Sequence, residues 1–288
     1  MREMGAHEGT ATATPPLGGG RERFLDALRA VATLRVVLYH ATGNAHLSWF
    51  AAMPLMFFVG GALYGKSLSR SPWRPLLKKR TRRILIPWTA WVVMIALVYA
   101  LTGEWRNVPW WGAIGFVFPL LPPHGPLGAA AGDLYWTWMA LWYISAYLLF
   151  MVVGIPLRRL QQRAPWLTLG ALLTPVLISA AVGAPSLGAP TYNLLFWVLG
   201  YCYVDGLLTF RSRRLMVIAT IGCAAIAAGY AATVSGFGLT LTESPFLSVA
   251  VGCAWVLGSL TMREPITRWA RPPVAAYPVE FLSLDPPL

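Results

Sequence analysis

Residues 84–102 read ILIPWTAWVVMIALVYALT, a run that contains no charged side chain. One helical crossing of a bilayer needs roughly 17 to 25 predominantly apolar residues. In the hydrocarbon core every backbone polar group must find a partner within the protein, which selects helices or closed barrels. The stretch therefore predicts a transmembrane helix.

The same pattern recurs along the chain. Hydrophobic residues make up 57% of the 288 residues and charged residues 12%, against about 25% charged in soluble domains. This composition argues against a disordered chain, a nucleic-acid-binding domain and a water-soluble enzyme. The apolar stretches of spanning length are 24–42, 47–65, 84–102, 134–157, 167–184, 191–210, 215–234 and 245–262. We therefore predict an all-α, polytopic transmembrane helical bundle with about eight spans, forming one membrane domain over residues 21–262.

Three other segments differ from the spans. Residues 1–20 are polar and rich in Gly and Pro, so we expect a disordered cytoplasmic arm. Residues 103–133 contain a short, Pro-rich apolar run that predicts a re-entrant or interfacial segment. Residues 263–288 are Pro-rich and contain no further span, so we expect a cytoplasmic tail, shortened or truncated.

The distribution of charge predicts the orientation. With the N-terminus inside, the inside segments are 1–23, 66–83, 158–166, 211–214 and 263–288. They hold 20 of the 23 Lys and Arg residues. Cytoplasmic loops of membrane proteins carry this excess of cations. We therefore expect a multi-pass cell-membrane protein with a cytoplasmic N-terminus, and the net charge of +12 needs no nucleic-acid partner.

The first span carries most of the ionisable groups that fall inside a span. Arg29 and His40 are eleven positions apart, which is about three helical turns plus 20°, so they share one stripe about 16 Å long. Asp26 precedes Arg29 by three positions and can pair with it. Arg35 is rotated by about 240° from Arg29 and should face elsewhere. The first span thus carries an acid–base group and an anion-binding group on one face.

Less specific roles remain open for each of these residues. Asp26 and Arg29 could anchor the helix among the headgroups, and His40 could be a neutral, hydrogen-bonded residue at the outer boundary. Ionisable groups within a span are costly, so each is a functional candidate. Because these residues share one stripe, separate structural roles for the two ends of the helix are the weaker explanation.

A basic cluster follows the second span. Its members are Lys78, Lys79, Arg80, Arg82 and Arg83. Cytoplasmic anchoring to anionic lipid explains such a cluster well. The functional alternative is that Arg80, Arg82 and Arg83 dock the phosphates of a cytoplasmic donor, because guanidinium groups bind phosphate in a bidentate manner.

Other polar and sulfur-containing residues carry weaker signals. Cys202, Cys223 and Cys253 lie in apolar runs without CxxC spacing or a nearby His, so we expect small buried hydrophobes and no metal site. Asp205, near Arg211, is expected to form an ion pair at headgroup level.

Three segments together resemble the acyltransferase 3 family of membrane acyltransferases, in the form found in actinobacterial members. Arg29 and His40 reproduce its R-x10-H pattern within LDALRAVATLRVVLYHA. The segment MPLMFFVGG is similar to the Phe- and Gly-rich second helix, and KRTRRILIPW to the basic entry into the third. Looser similarity follows in LWYISAYLLF and NLLFWVLGYCYVDG. The resemblance is good over 22–100, loose over 134–262 and absent beyond.

The resemblance implies transfer of an acyl group from a cytoplasmic acyl-CoA to a hydroxyl of a carbohydrate, a secondary metabolite or another acceptor. It places the family's histidine at His40 and its arginine at Arg29. The resemblance also implies that acyl-CoA is a co-substrate and that no cofactor is bound. Membrane lipid would surround the protein. The chemistry agrees, since O-acylation needs a base and His titrates near neutral pH. No GxSxG segment is present, which favours transfer without an acyl-enzyme.

Two other functions stay open at this point. Family members usually have about ten helices and we count eight spans, which puts activity rather than membership in question. A transporter of a lipid-linked or amphiphilic substrate could use the same polar stripe. A non-catalytic membrane scaffold is the third alternative.

Overall fold

The computed structural model describes residues 22–103, 142–208, 212–235 and 244–269. Within these ranges the chain is almost entirely helical and has no strand. The α-helices are α1 (Arg23–Thr42), α2 (Ala52–Leu68), α3 (Trp73–Thr102), α4 (Trp142–Arg163), α5 (Pro165–Val182), α6 (Pro185–Val204), α7 (Arg213–Tyr230), α8 (Pro245–Thr261) and α9 (Arg263–Trp269). A 3₁₀-helix, Ala45–Trp49, precedes α2, and a π-helical turn, Ala231–Ser235, follows α7.

The helical membrane bundle predicted from the sequence is confirmed. Each of the eight apolar stretches overlaps a helix in its described part. Five helical segments are long and apolar enough to cross a membrane: His46–Leu68, Trp73–Thr102, Tyr143–Arg163, Pro165–Val182 and Arg213–Thr233. The apolar helix Pro245–Thr261 is shorter, and α1 carries Asp26, Arg29 and Arg35 along its length. The arm 1–20, residues 104–133 of the predicted re-entrant segment and tail residues 270–288 lie outside the described residues.

Local sequence signals account for several helix ends. Gly43 adopts φ +63 and ends α1, donating its backbone N–H to the carbonyl of Tyr39, a conformation that glycine adopts without a steric cost. The Ser212 and Ser244 side chains accept hydrogen bonds from backbone amides in the first turns of α7 and α8. Such caps satisfy amides that a helix start leaves unpaired.

The centre of the bundle is the contact between α2 and α6. The backbones approach so closely that a Cβ at Gly61 would collide with the carbonyl of Trp197, and one at Gly200 with the carbonyl of Phe58. Small residues allow this approach in membrane helices. The helix pair places Trp197 and Tyr201, both fully buried, behind the wall of the cleft described below.

Two ion pairs show which helix ends lie together. Glu22, just before α1, pairs with Lys66 near the end of α2 at 2.6 Å. Arg158 near the end of α4 forms a bidentate ion pair with Asp205, which follows α6. These contacts collect the charged helix ends at one end of the bundle, as the charge pattern predicts. The expected pairing of Asp205 is thus found with Arg158; Arg211 lies outside the described residues.

Candidate active site

A cleft of about 760 Å³ opens between α2, α3 and α4, with one residue from α1 at its edge. Its volume falls within the range of about 300–1,000 Å³ that is usual for small-molecule sites. Its lining residues include Arg29, Met53, Met56, Phe57, Gly60, Leu63, Lys66, Ser67, Arg70, Arg80, Arg83, Ile84, Pro87, Trp88, Trp91, Tyr143, Ile144 and Tyr147. Along α2 the lining runs from Met53 to Lys66, about 20 Å at 1.5 Å per residue.

One end of this cleft, which we call the inner end, is strongly cationic. Arg29, Lys66, Arg70, Arg80 and Arg83 all contribute to its lining. Lys66 is paired with Glu22 and Arg29 with Asp26. No carboxylate in the described part of the chain pairs with the other three. The inner end therefore keeps an excess of positive charge that favours an anionic ligand.

Arg80 is the best-fixed cation of the inner end. Its Nη2 donates to the Leu63 carbonyl at 3.0 Å and to the Ser67 Oγ at 2.8 Å, both on α2. Its Nη1 lies 3.5 Å from the Tyr147 hydroxyl on α4, and its guanidinium stacks over Tyr64. Arg80 thus joins α2, α3 and α4 and presents a guanidinium whose orientation is set before any ligand arrives.

Arg29 reaches the cleft from α1. Its Nη2 lies 3.3 Å from Asp26 Oδ1, so the ion pair expected from the three-residue spacing forms. The Arg29 side chain remains 53% exposed, which leaves donors of its guanidinium available to a ligand. Asp26 therefore acts on Arg29 as an orienting partner.

The middle wall of the cleft is aromatic and rigid. Tyr147 packs edge-on against the buried Trp197, with ring centroids 5.0 Å apart. Trp197 donates its indole N–H to the Tyr201 hydroxyl at 2.7 Å, which in turn donates to the Gly154 carbonyl. A Cβ at Gly60 would meet both Tyr147 and Trp197 at 2.9 Å, so glycine is needed to bring α2 against this wall.

The other end of the cleft, the outer end, is apolar. Its lining comes from Met53, Met56, Phe57, Trp91 and Ile144. Ser67 is the only Ser, Thr or Cys among the described lining residues, and its hydroxyl donates to the Leu63 carbonyl while accepting from Arg80. No base that could activate it is adjacent, so the described lining offers no nucleophile of the serine-hydrolase kind.

His40 lies beyond the outer end of the cleft and does not line it. Helix α1 is uninterrupted from Arg23 to Thr42, so the calculated offset of about 16 Å from Arg29 holds. Thr33, between them on the same stripe, touches the lining residue Met56 through a 3.8 Å contact to its sulfur. The stripe therefore leads along the cleft edge from Arg29 toward the exposed imidazole of His40.

Arg35 points away from that stripe, as the sequence predicts, and contacts the 3₁₀-helix and Tyr39 instead. Its Nε donates to the Leu47 carbonyl at 2.6 Å, and its guanidinium stacks over the Tyr39 ring at 4.8 Å. Tyr39 in turn meets the His40 ring edge-on at 5.3 Å. Arg35 thus holds the 3₁₀-helix Ala45–Trp49 against the end of α1 that carries His40.

The three arginines expected to dock a donor do not line the same cleft. Arg80 and Arg83 line the cleft, whereas Arg82 lies with Lys78 in a separate groove on the opposite side of α3. Residues two apart on a helix differ by about 200°, which separates Arg82 from Arg80. Sequence reasoning also missed Lys66, Arg70 and Tyr147, which complete the inner end and middle wall.

Comparison with known proteins identifies the family of the chain. The family model for the acyltransferase 3 family, described as an acyltransferase domain, matches residues 22–283. No curated protein and no solved structure matches the chain. The match covers nearly the whole chain, including every described helix and each of the candidate site residues. This protein is therefore an acyltransferase that belongs to the acyltransferase 3 family.

Proposed function

We propose that the protein transfers an acyl group from a cytoplasmic acyl-CoA to a hydroxyl group of a carbohydrate or a secondary metabolite. The observation that carries the proposal is a cleft that is cationic at one end and apolar at the other, with His40 on the α1 stripe beyond its apolar end. An acyl-CoA donor matches the two ends, because its phosphates suit the cationic end and its long, less polar arm suits the apolar end.

The phosphates of the donor bind at the inner end. Arg80 and Arg83 supply planar guanidinium groups from successive turns of α3, and Arg70, just after the end of α2, adds a further charge. Hydrogen bonds between guanidinium and phosphate are shorter and stronger than neutral ones. Because Arg80 is already held by Leu63 and Ser67, little ordering of this side chain is needed on binding.

The arm of the donor extends along the apolar part of the cleft. The lining spans about 20 Å from Lys66 to Met53, so an extended arm carries the thioester from the inner end toward His40. Arg29, at the edge of the cleft, orients the donor or the charged intermediate on the way. The acyl group therefore crosses most of the bilayer within the protein.

His40 acts as the general base in direct transfer. Its imidazole takes the proton of the acceptor hydroxyl while the hydroxyl oxygen attacks the thioester carbon. The carbon–sulfur bond breaks, and the thiolate of CoA leaves and takes up a proton. An exposed His40 at the outer boundary suits an acceptor that arrives from outside the cell.

A transfer assay with purified protein tests the proposal. The protein in lipid nanodiscs receives acetyl-, butyryl- or octanoyl-CoA and a panel of sugars, and thiol release is measured together with the mass of each acceptor. We expect release of CoA thiol to rise with acceptor and to match the acylated product. Flux of a substrate across proteoliposomes with no thiol release in any combination would contradict the assignment.

The proposed orientation has its own test. Single cysteines replacing Pro75, Gln162 or Ser212, in a background without Cys202, Cys223 and Cys253, should react with a membrane-impermeant maleimide only from the cytoplasmic side. Cysteines replacing Asn44 or Val182 should react from outside. All five positions are exposed in the structure. Labelling of Gln162→Cys from outside would overturn the orientation.

A further inference from the structure

Helix α3 has a second groove, on the side opposite the cleft. Lys78, Thr81, Arg82, Leu85, Ile86, Thr89 and Ala90 line a groove there. Lys78, Arg82 and Thr89 fall within about 40° of one another around the helix axis, whereas Arg80 is about 200° from Lys78. The basic segment before the span therefore serves two surfaces, with Arg80 and Arg83 on one and Lys78 and Arg82 on the other.

The groove continues into an apolar stripe that faces away from the bundle. Ile86, Val93 and Leu97 are each about 60% exposed. Such exposure of large aliphatic side chains is expected where a helix meets lipid tails, because there water is absent. The stripe runs from the two cations outward along one side of α3.

The length of α3 places the two cations at the level of the lipid headgroups. Its 30 residues span about 45 Å, whereas the hydrocarbon core is about 30 Å thick. The uncharged run 84–102 fills that core, so the turns before Ile84 extend about 15 Å into the inner headgroup region. Lys78 and Arg82 lie in those turns, one helical turn apart.

Neither cation is neutralised by the described part of the chain. No carboxylate there forms an ion pair with Lys78 or Arg82, and both side chains are exposed. Two unpaired cations above an exposed apolar stripe match a molecule with an anionic head and a hydrocarbon tail.

We propose that this groove is a binding site for an anionic phospholipid of the inner leaflet. The lipid phosphate sits between Lys78 and Arg82, and one acyl tail follows Ile86, Val93 and Leu97. The occupant is a membrane lipid and not the acyl-CoA donor, because the groove lies on the far side of α3 from Arg80 and Arg83. The proposal needs only that α3 spans the membrane and stands independently of the proposed reaction.

Retention of lipid by the full-length protein tests the site. The protein is exchanged into mild detergent with equal amounts of phosphatidylglycerol and phosphatidylcholine, and bound lipid is counted by native mass spectrometry. Each Lys or Arg near an anionic surface contributes about 1 kcal/mol. The double variant Lys78→Gln/Arg82→Gln should therefore bind phosphatidylglycerol about 30-fold more weakly, with phosphatidylcholine unchanged.

A matched control removes the same charge elsewhere. Arg213→Gln/Arg214→Gln changes two exposed cations at the start of α7, away from this groove. It should lower phosphatidylglycerol binding by less than about 3-fold if the α3 site dominates. Equal losses in both double variants would show diffuse attraction to charge and overturn the site, as would displacement of the lipid by soluble glycerol phosphate.

Tail contact gives a second measurement that does not depend on charge. Phosphatidylglycerol with a photoreactive group in its tail should crosslink to the α3 peptide that contains Ile86 and Val93. The same crosslink should fall at least 10-fold in the Lys78→Gln/Arg82→Gln variant. Crosslinks spread evenly over α3, α5 and α7 in the unaltered protein would overturn the proposal.

Discussion

The inner and outer ends of the cleft are built in opposite ways. At the inner end, Arg80 is fixed by Leu63 and Ser67, and Arg29 by Asp26. Beyond the outer end, His40 is exposed, and no side chain or carbonyl in the described part of the chain forms a hydrogen bond with its imidazole. The contrast fits the proposed reaction, in which the donor site can be pre-formed and the base must keep a nitrogen free for an incoming hydroxyl.

Substitution of His40 should lower the rate of acyl transfer more than substitution of Arg83, Arg29 or Arg82. His40→Ala removes the proposed base, and general base catalysis typically contributes about 10² to 10⁴ in rate. His40→Gln keeps hydrogen bonding but cannot accept a proton at neutral pH, so we expect a similar loss of kcat. The rate of the unaltered protein should fall as the pH drops and the imidazole becomes protonated.

Measurement of turnover per folded protein separates catalysis from folding. A structural histidine would give a different result: His40→Gln would restore turnover and His40→Ala would lower the yield of folded protein. That outcome would mean that His40 is not the general base.

At the inner end, Arg83→Gln should come next in size. A hydrogen bond to a charged group contributes about 1.5–3 kcal/mol. The variant should therefore raise KM for acyl-CoA about 10- to 100-fold while kcat changes little. Acyl-pantetheine, which lacks the phosphates, provides the control substrate, and its KM should stay the same in the variant. Equal effects on both donors would show that Arg83 does not contact phosphate.

Arg29→Lys should have an intermediate effect. Lysine keeps the charge and can still pair with Asp26, but it lacks the planar fork of the guanidinium. We expect a loss of about 10-fold in kcat/KM for acyl-CoA, consistent with one charge-assisted hydrogen bond. An unchanged kcat/KM of Arg29→Lys for acyl-CoA would instead identify Arg29 as a helix anchor.

The sequence predicts the helices and the α1 stripe well because both follow from local patterns. Apolar runs mark the spans, and the offset of Arg29 from His40 follows from 3.6 residues per turn once α1 is a continuous helix. The Asp26–Arg29 pair is equally local. These features need no knowledge of how the helices pack.

Other parts of the site depend on contacts between distant segments. Tyr147 meets Arg80 only because α4 packs beside α3, and Arg158 pairs with Asp205 across 47 positions of the chain. No periodicity within one helix encodes such partners. The division of the basic segment is different, since the same 100° rotation per residue predicts that Arg82 faces away from Arg80.

Arg82→Gln should have the smallest effect on the donor and therefore tests the two faces of α3 most sharply. Arg82 and Arg83 are adjacent in the sequence and carry the same charge, but Arg83 lines the cleft and Arg82 the opposite groove. If direct contact governs donor binding, Arg82→Gln should raise KM for acyl-CoA less than about 3-fold, since an exposed, screened charge acts weakly at a distance. Kinetics of Arg82→Gln and Arg83→Gln should be measured in the same detergent at two salt concentrations. Equal increases in KM that vanish together at high salt would mean that the basic segment attracts the donor as a diffuse charge, and the assignment of Arg83 to a specific phosphate contact would fail.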